Sequence, residues 1–127
     1  KSENISIRLV KGAYNENKSI AFIEIDDIRG NFLKLADILC NYQSDQDAIA
    51  TQDEAILNSL LSDDSYKKLS FEFLFGVRKD LQNKFNKEHS VGIYLPYGSN
   101  WLPYTMRRLS EWKNIKFIAK NLIKEKL

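Results

Sequence analysis

Cationic side chains stand beside aromatic residues at two distant places in this sequence. Lys11 lies in the segment RLVKGAY (residues 8–14), and Arg107 and Arg108 end the segment YLPYGSNWLPYTMRR (residues 94–108). Guanidinium groups bind carboxylates through two parallel hydrogen bonds, whereas an ammonium group binds an anion as a point charge. Charges in such places need either solvent or an anionic ligand, and the aromatic neighbours favour a ligand pocket.

The arginine segment also has a simpler interpretation. Trp101, Tyr104, Arg108 and Glu111 follow one another at spacings of three or four, so they share one stripe of a helix. Glu111 could orient one arginine of a carboxylate-binding pair. Alternatively, Arg107 and Glu111 form an ordinary i,i+4 ion pair on a solvated face, worth about 0.3–0.5 kcal/mol. Spacing alone leaves both possibilities open.

Length and composition predict one globular domain without a metal site. The chain has 127 residues, of which 43% are hydrophobic and 28% charged, and a net charge of +2, too small to imply a nucleic-acid partner. One cysteine, Cys40, excludes an internal disulfide and a cysteine-based metal cluster, and we expect it in a helix core. One histidine, His89, argues against a histidine metal site. No apolar run approaches the ~20 residues of a membrane span.

Periodicity predicts strands that alternate with helices. Such alternation favours a parallel sheet with right-handed crossovers, either half of a (β/α)8 barrel or a small open sheet. A plausible N-cap for the second helix is Thr51 or Asp53. The predicted strands span residues 5–10, 48–51, 68–76 and 91–96, and the predicted helices span 28–42, 53–63, 77–85, 101–112 and the end of 115–127.

Polar, glycine and aromatic residues cluster just beyond the predicted strands. In both architectures ligands bind at the carboxyl ends of the strands. We therefore expect a pocket there for a flat aromatic cofactor and a small anion, the alternative being ordinary polar loops. The residues are Lys11, Gly12, Tyr14, Thr51, Gln52, Asp53, Phe75, Gly76, Tyr94, Pro96, Tyr97 and Gly98.

Four segments in order resemble the FAD-dependent proline dehydrogenase family. They read RLVKGAY, AIATQDE, FEFLFGVRKDLQ and YLPYGSNWLPYTMRRLSE, and the resemblance covers residues 5 to about 118. It implies that residues 1–127 are a partial catalytic domain, the C-terminal half of a distorted (β/α)8 barrel. It further implies FAD-dependent oxidation of L-proline to Δ1-pyrroline-5-carboxylate, with electrons passed to a quinone or other acceptor.

The resemblance also assigns residues to the cofactor and the substrate. Glu111 would support the arginines, and no metal is implied. The FAD-binding positions would be Arg8, Lys11, Gly12, Ala13, Thr51 and Gln52. The proline-binding positions would be Leu9, Tyr14, Tyr94, Tyr104, Arg107 and Arg108.

The chain departs from the family pattern in three respects. Gln52 stands where the family usually has histidine, and Glu72 where it usually has glutamine. Matches to the early strands, which supply a lysine and an acidic residue to the site, are not found. Four βα units would leave two open sheet edges, so we expect the remainder of a barrel or a second chain as partner.

Other interpretations and the expected location follow from the same residues. The chain could be a split or degenerate fragment that binds no FAD. It could also be a small α/β binding module whose lysines at positions 113, 116, 120, 124 and 126 form a basic terminal helix. We expect a cytoplasmic or mitochondrial protein, at most peripheral at the inner membrane face, and not a secreted one.

Overall fold

Strands and helices alternate along the described chain. A computed structural model describes residues 5–12, 16–42, 46–99 and 101–103. A short 3-10 helix, Asp64–Lys68, precedes the third strand. The elements are β1 (Arg8–Val10), α1 (Ile25–Tyr42), β2 (Ala48–Ala50), α2 (Glu54–Leu61), β3 (Ser70–Leu74), α3 (Lys79–Phe85) and β4 (Val91–Tyr94).

The four strands form one parallel sheet in the order β1-β2-β3-β4. One line of register partners crosses the whole sheet, from Leu9 to Ile49, Phe71 and Val91. The predicted α/β class and parallel pairing are therefore confirmed. A doubly wound sheet reverses its strand order at a switch point, and the described strands contain no such reversal. The sheet is thus compatible with part of a barrel.

The three helices pack against a single face of the sheet. The core cluster joins residues of α1, α2 and α3 to Ile49, Phe71 and Phe73, with Leu9 and Val91 packed against it. We call these five strand residues the helix-facing face. In α1 the buried residues recur at helical spacing, at Phe32, Ala36, Leu39 and Cys40. The predicted core position of Cys40 is confirmed, and its thiol donates to the Ser65 carbonyl at 3.0 Å.

Several element boundaries differ from the predictions. The first strand is shorter than residues 5–10, because the Asp47 carboxylate accepts the Ile7 N–H at 2.8 Å. The predicted start of the third helix at residue 77 is wrong: Arg78 has a left-handed φ of 53°, so α3 begins at Lys79. The sequence analysis also missed the 3-10 helix, which Asp63 caps by accepting the Ser65 N–H.

The fourth predicted helix is described only at its beginning. Residues 101–103 are helical, and the Trp101 N–H donates to the Gly98 carbonyl at 3.3 Å. The rest of that helix and the segment 115–127 lie outside the described residues. Within the described ranges, no helix has both the length and the apolar character that crossing a membrane requires.

Candidate functional site

Asp53 is the centre of a charge cluster where β2 ends. It is the N-cap of α2 and accepts the Ala55 N–H at 3.1 Å, which confirms one of the two predicted caps. Its carboxylate also accepts hydrogen bonds from Lys11 Nζ and, at 3.0 and 3.3 Å, from Arg29 Nε. The Asp53 side chain is only 7% exposed, so one buried carboxylate binds two cations, and Arg29 also pairs with the exposed Asp26 at 3.7 Å.

The charges of this cluster are mutually stabilised. Burial by itself would raise the pKa of Asp53, but hydrogen bonds from Arg29 and Lys11 and their charges outweigh it and lower that pKa. The pKa of Arg29 is raised, first by its hydrogen bond to Asp53 and then by the charge of that carboxylate. Asp53 and Arg29 therefore stay ionised at neutral pH.

Thr51 and Gln52 lead from β2 into this cluster. Thr51 is buried, and its hydroxyl oxygen accepts the Asp53 N–H at 3.2 Å, which helps to fix the start of α2. Gln52 differs, because its Oε1 is buried without a hydrogen-bond partner among the described residues. Buried polar atoms are normally paired. The Gln52 side-chain oxygen is thus a buried acceptor to which the described residues donate no hydrogen bond.

Lys11 and Gly12 continue the ladder just past β1. The Lys11 N–H points to the Ala50 carbonyl at 3.5 Å, so the chain follows β2 before it turns. Gly12 has a φ of 60°, and a Cβ built there would meet no atom within 4 Å. The glycine is therefore needed for its left-handed backbone rather than for space. We call Lys11, Gly12, Thr51, Gln52 and Asp53 the carboxyl edge.

A second charged group lies on the sheet face opposite the helices. Arg8 Nε donates to Glu72 Oε2, and the Arg8 guanidinium carbon lies 4.8 Å from the centre of the Tyr94 ring. Arg8 is on β1, Glu72 on β3 and Tyr94 on β4, so the group spans the whole sheet. We call these three residues the charged face.

The proposed proline contact Leu9 is placed elsewhere. Leu9 packs against the helix core on the helix-facing face, whereas Arg8 and Tyr94 meet on the charged face. Neighbouring strand residues point to opposite sides of a sheet, which accounts for the separation. The structure brings Arg8 and Tyr94 together and does not bring Leu9 to them.

Six of the predicted site residues lie outside the described residues. They are Ala13, Tyr14, Tyr104, Arg107, Arg108 and Glu111. Among the described residues, no group of three or more histidine, cysteine, aspartate or glutamate side chains could hold a metal ion.

Curated proteins from two bacteria are similar to nearly the whole chain. Proline dehydrogenase 2 of Bacillus subtilis (strain 168) is 37% identical over 133 residues, which cover 98% of this chain. This chain belongs to the proline dehydrogenase family. Proline dehydrogenase 1 of the same strain is 35% identical and proline dehydrogenase of Deinococcus radiodurans 32% identical, each over 94% of the chain.

The chain spans less than half the length of these relatives. The matched regions are 43%, 42% and 40% of the three proline dehydrogenases, respectively. No protein-family model matches the chain. Family membership therefore rests on curated relatives that are much longer than this chain.

Two cations near this site were missed by the sequence analysis. Arg29 lies on α1, 24 positions before Asp53 along the chain, and no local pattern links the two residues. Arg78 is 15% exposed and bonds to Glu54 at the start of α2 and to Asp80, which ties the β3–α3 loop to α2. Only the fold brings Arg29 to Asp53 and Arg78 to Glu54, because the partners in each pair are 24 positions apart along the chain.

Proposed function

We propose that this chain is part of an FAD-dependent proline dehydrogenase and contributes four βα units to its (β/α)8 barrel. The enzyme would oxidise L-proline to Δ1-pyrroline-5-carboxylate and pass electrons to a quinone or another acceptor. Membership of the proline dehydrogenase family supports the reaction class. The cofactor assignment rests on the carboxyl edge. There Lys11 follows β1, and Gln52, with its buried acceptor atom, and Asp53 follow the adjacent strand β2.

The sheet supports the barrel assignment. Strand order is sequential and the described helices cover one face only, as in a singly wound (β/α)8 barrel. The other face would then line the barrel interior, which accounts for the mixed polar character of Arg8, Glu72 and Tyr94. Eight strands close such a barrel, so the four strands described here would be completed by the remainder of the barrel or by a second chain.

The carboxyl edge fits the chemical character of FAD. The cofactor would carry out the two-electron oxidation, and the protein would bind and orient it. Lys11 is a cation at a strand end and is partly exposed, which suits the phosphates or a reduced ring. Gln52 Oε1 can accept an N–H from a flavin ring, and Gly12 lets the backbone turn without a side chain.

The assigned proline site combines a cationic pair with aromatic side chains. Arg107 and Arg108 would bind the proline carboxylate through charge-assisted hydrogen bonds, and Glu111 would orient one of them. Tyr14, Tyr94 and Tyr104 would exclude water and restrict the substrate orientation. Such fixed orientation is a large part of the rate gain in a reaction between two bound partners.

A chimaera tests this proposal. This chain would replace the aligned segment of Bacillus subtilis proline dehydrogenase 2, to which it is 37% identical. We expect the purified chimaera to show a flavin absorption spectrum and to reduce a quinone or dye only when L-proline is added. A folded chimaera that binds no flavin, or that binds flavin without proline-dependent reduction, would contradict the proposal.

The 127-residue chain alone is the matched comparison. Because it spans less than half of its relatives, we expect it to show no proline-dependent reduction by itself. Its flavin content then shows whether FAD binding needs the rest of the barrel, which the chimaera does not test. Retained flavin would show that the carboxyl edge binds FAD without the rest of the barrel, and loss of flavin would show that the remaining strands are needed.

A further inference from the structure

The Arg8–Glu72 ion pair crosses an entire strand. Arg8 is the register partner of Ala48, and Glu72 is the partner of Ala50, so two alanines of β2 lie between them. Adjacent strands are about 4.8 Å apart, so the first and third strands are separated by about twice that distance. Two long side chains can meet over this gap only where the middle strand carries small residues, as β2 does.

Gly92 on β4 provides the room that Glu72 needs. It is the register partner of Glu72, and a Cβ built on Gly92 would lie 3.2 Å from Glu72 Cγ. Its backbone is not in the left-handed region, so conformational freedom does not account for this glycine. The absence of a side chain at position 92 thus leaves the space that the Glu72 side chain occupies.

Tyr94 completes the arrangement on the far side of Glu72. The Arg8 guanidinium lies over the Tyr94 ring, so it has an anion as one neighbour and an aromatic face as another. A free arginine has several rotatable bonds, and two contacts from different strands restrict them. The Arg8 side chain is 44% exposed, which leaves part of it open to a ligand.

We propose that Glu72 is a positioning residue that holds Arg8 over Tyr94 for cofactor binding, and that Gly92 is required for it to do so. The inference rests on the proposed function, because Arg8 is one of the residues assigned to FAD. In this proposal Glu72 acts through Arg8 and does not itself contact the cofactor. Glu72 also neutralises the Arg8 charge, so the charged face contributes orientation rather than net charge.

The first test needs no flavin. Exchange of the Arg8 Nε–H with solvent would be measured by 15N NMR in the 127-residue chain and in the chimaera. We expect Glu72→Ala to speed this exchange by about two- to fivefold, the range for a partly exposed ion pair. Asp64→Asn is the matched control, because it removes the same charge from an exposed ion pair with Lys67 ahead of β3. Unchanged Arg8 exchange in folded Glu72→Ala protein would overturn the proposal.

The second test measures FAD affinity in the chimaera. We expect Glu72→Ala to raise the FAD dissociation constant by about two- to fivefold, and to have no further effect once Arg8→Met is present. An undiminished effect of Glu72→Ala in the Arg8→Met background would show that Glu72 acts without Arg8, which contradicts the proposal. If the unmodified chimaera binds no FAD, the proposed function fails, while the exchange test still decides the role of Glu72.

The role of Gly92 is tested by comparing Gly92→Ala in the unmodified protein and in the Glu72→Ala variant. Gly92→Ala should speed Arg8 Nε–H exchange in the same direction as Glu72→Ala, because the new methyl group displaces the Glu72 side chain. In the Glu72→Ala background, Gly92→Ala should cause no additional change, since the crowded Cγ is absent. An equal effect of Gly92→Ala in both backgrounds would contradict the assigned match between the two residues.

Discussion

The two faces of the sheet are built for different purposes. On the helix-facing face, Ile49, Phe71 and Phe73 are fully buried and belong to the apolar core cluster. On the charged face, Arg8 and Glu72 are 44% and 28% exposed, and an ion pair joins strands that are not neighbours. The first arrangement stabilises the fold and the second leaves groups available to a ligand. Substitutions on the two faces should therefore affect different measurements.

The largest effect is expected on the helix-facing face. Phe71 is fully buried, and its ring centre lies 4.6 Å from that of Phe85 and 4.8 Å from that of His89. We expect Phe71→Ala to lower the free energy of unfolding by about 3–5 kcal/mol, because it removes buried area and leaves a cavity. Urea denaturation followed by circular dichroism measures this change.

Phe75→Ala is the matched control for Phe71→Ala. Phe75 follows the end of β3 and is 59% exposed, so its truncation should cost about 0.5 kcal/mol or less. Similar losses for the two variants would show that the helix-facing face does not carry the stability assigned to it.

The next largest effect separates the proposed substrate and cofactor charges. In the chimaera, Arg108→Met should lower kcat/KM for proline by about ten- to hundredfold, because a charge-assisted contact to the carboxylate is worth about 1.5–3 kcal/mol. Flavin content should stay nearly unchanged. Lys11→Met should instead weaken FAD retention or shift the flavin potential. Loss of flavin in Arg108→Met with proline affinity intact would reverse the assigned roles.

The fold was largely predictable because its signals are local. Apolar spacing in α1, and the short β-branched or aromatic strands, repeat over a few residues, and alternation of the two element types then fixes a parallel sheet. The errors lie at boundaries. Arg78 adopts a left-handed backbone conformation that is not expected for an arginine, so the sequence analysis placed the start of α3 two residues too early.

The candidate site was predictable only in part, because its contacts are long-range. Strand ends indicated Lys11, Thr51 and Gln52, since the carboxyl ends of parallel strands share one edge. The partners of these residues were not predictable. Arg8 and Glu72 are 64 positions apart along the chain, and their contact depends on strand order and register together.

A smaller effect is expected at the carboxyl edge. Asp53→Ala removes a helix cap, which typically costs about 0.5–2 kcal/mol, and it leaves Lys11 and Arg29 without their shared carboxylate. We therefore expect lower stability in urea denaturation together with altered FAD retention. Asp63→Ala is the control, because Asp63 caps the 3-10 helix away from Lys11. Equal FAD retention in the two variants would contradict a role for Asp53 in the site.

The smallest effect concerns the only histidine of the 127-residue sequence, His89. Burial lowers the pKa of His89 below its ordinary value of 6.5, and its ring contacts Phe71 and Phe85 under the helix-facing face. The unfolded chain therefore binds a proton more readily than the folded protein as the pH falls. Stability is fully present above about pH 6.5 and declines as the pH drops towards the folded pKa. Urea denaturation between about pH 7 and pH 5 should show this decline, and His89→Gln, which stays neutral, should reduce it. Equal slopes in the two proteins would show that His89 does not limit stability in mild acid.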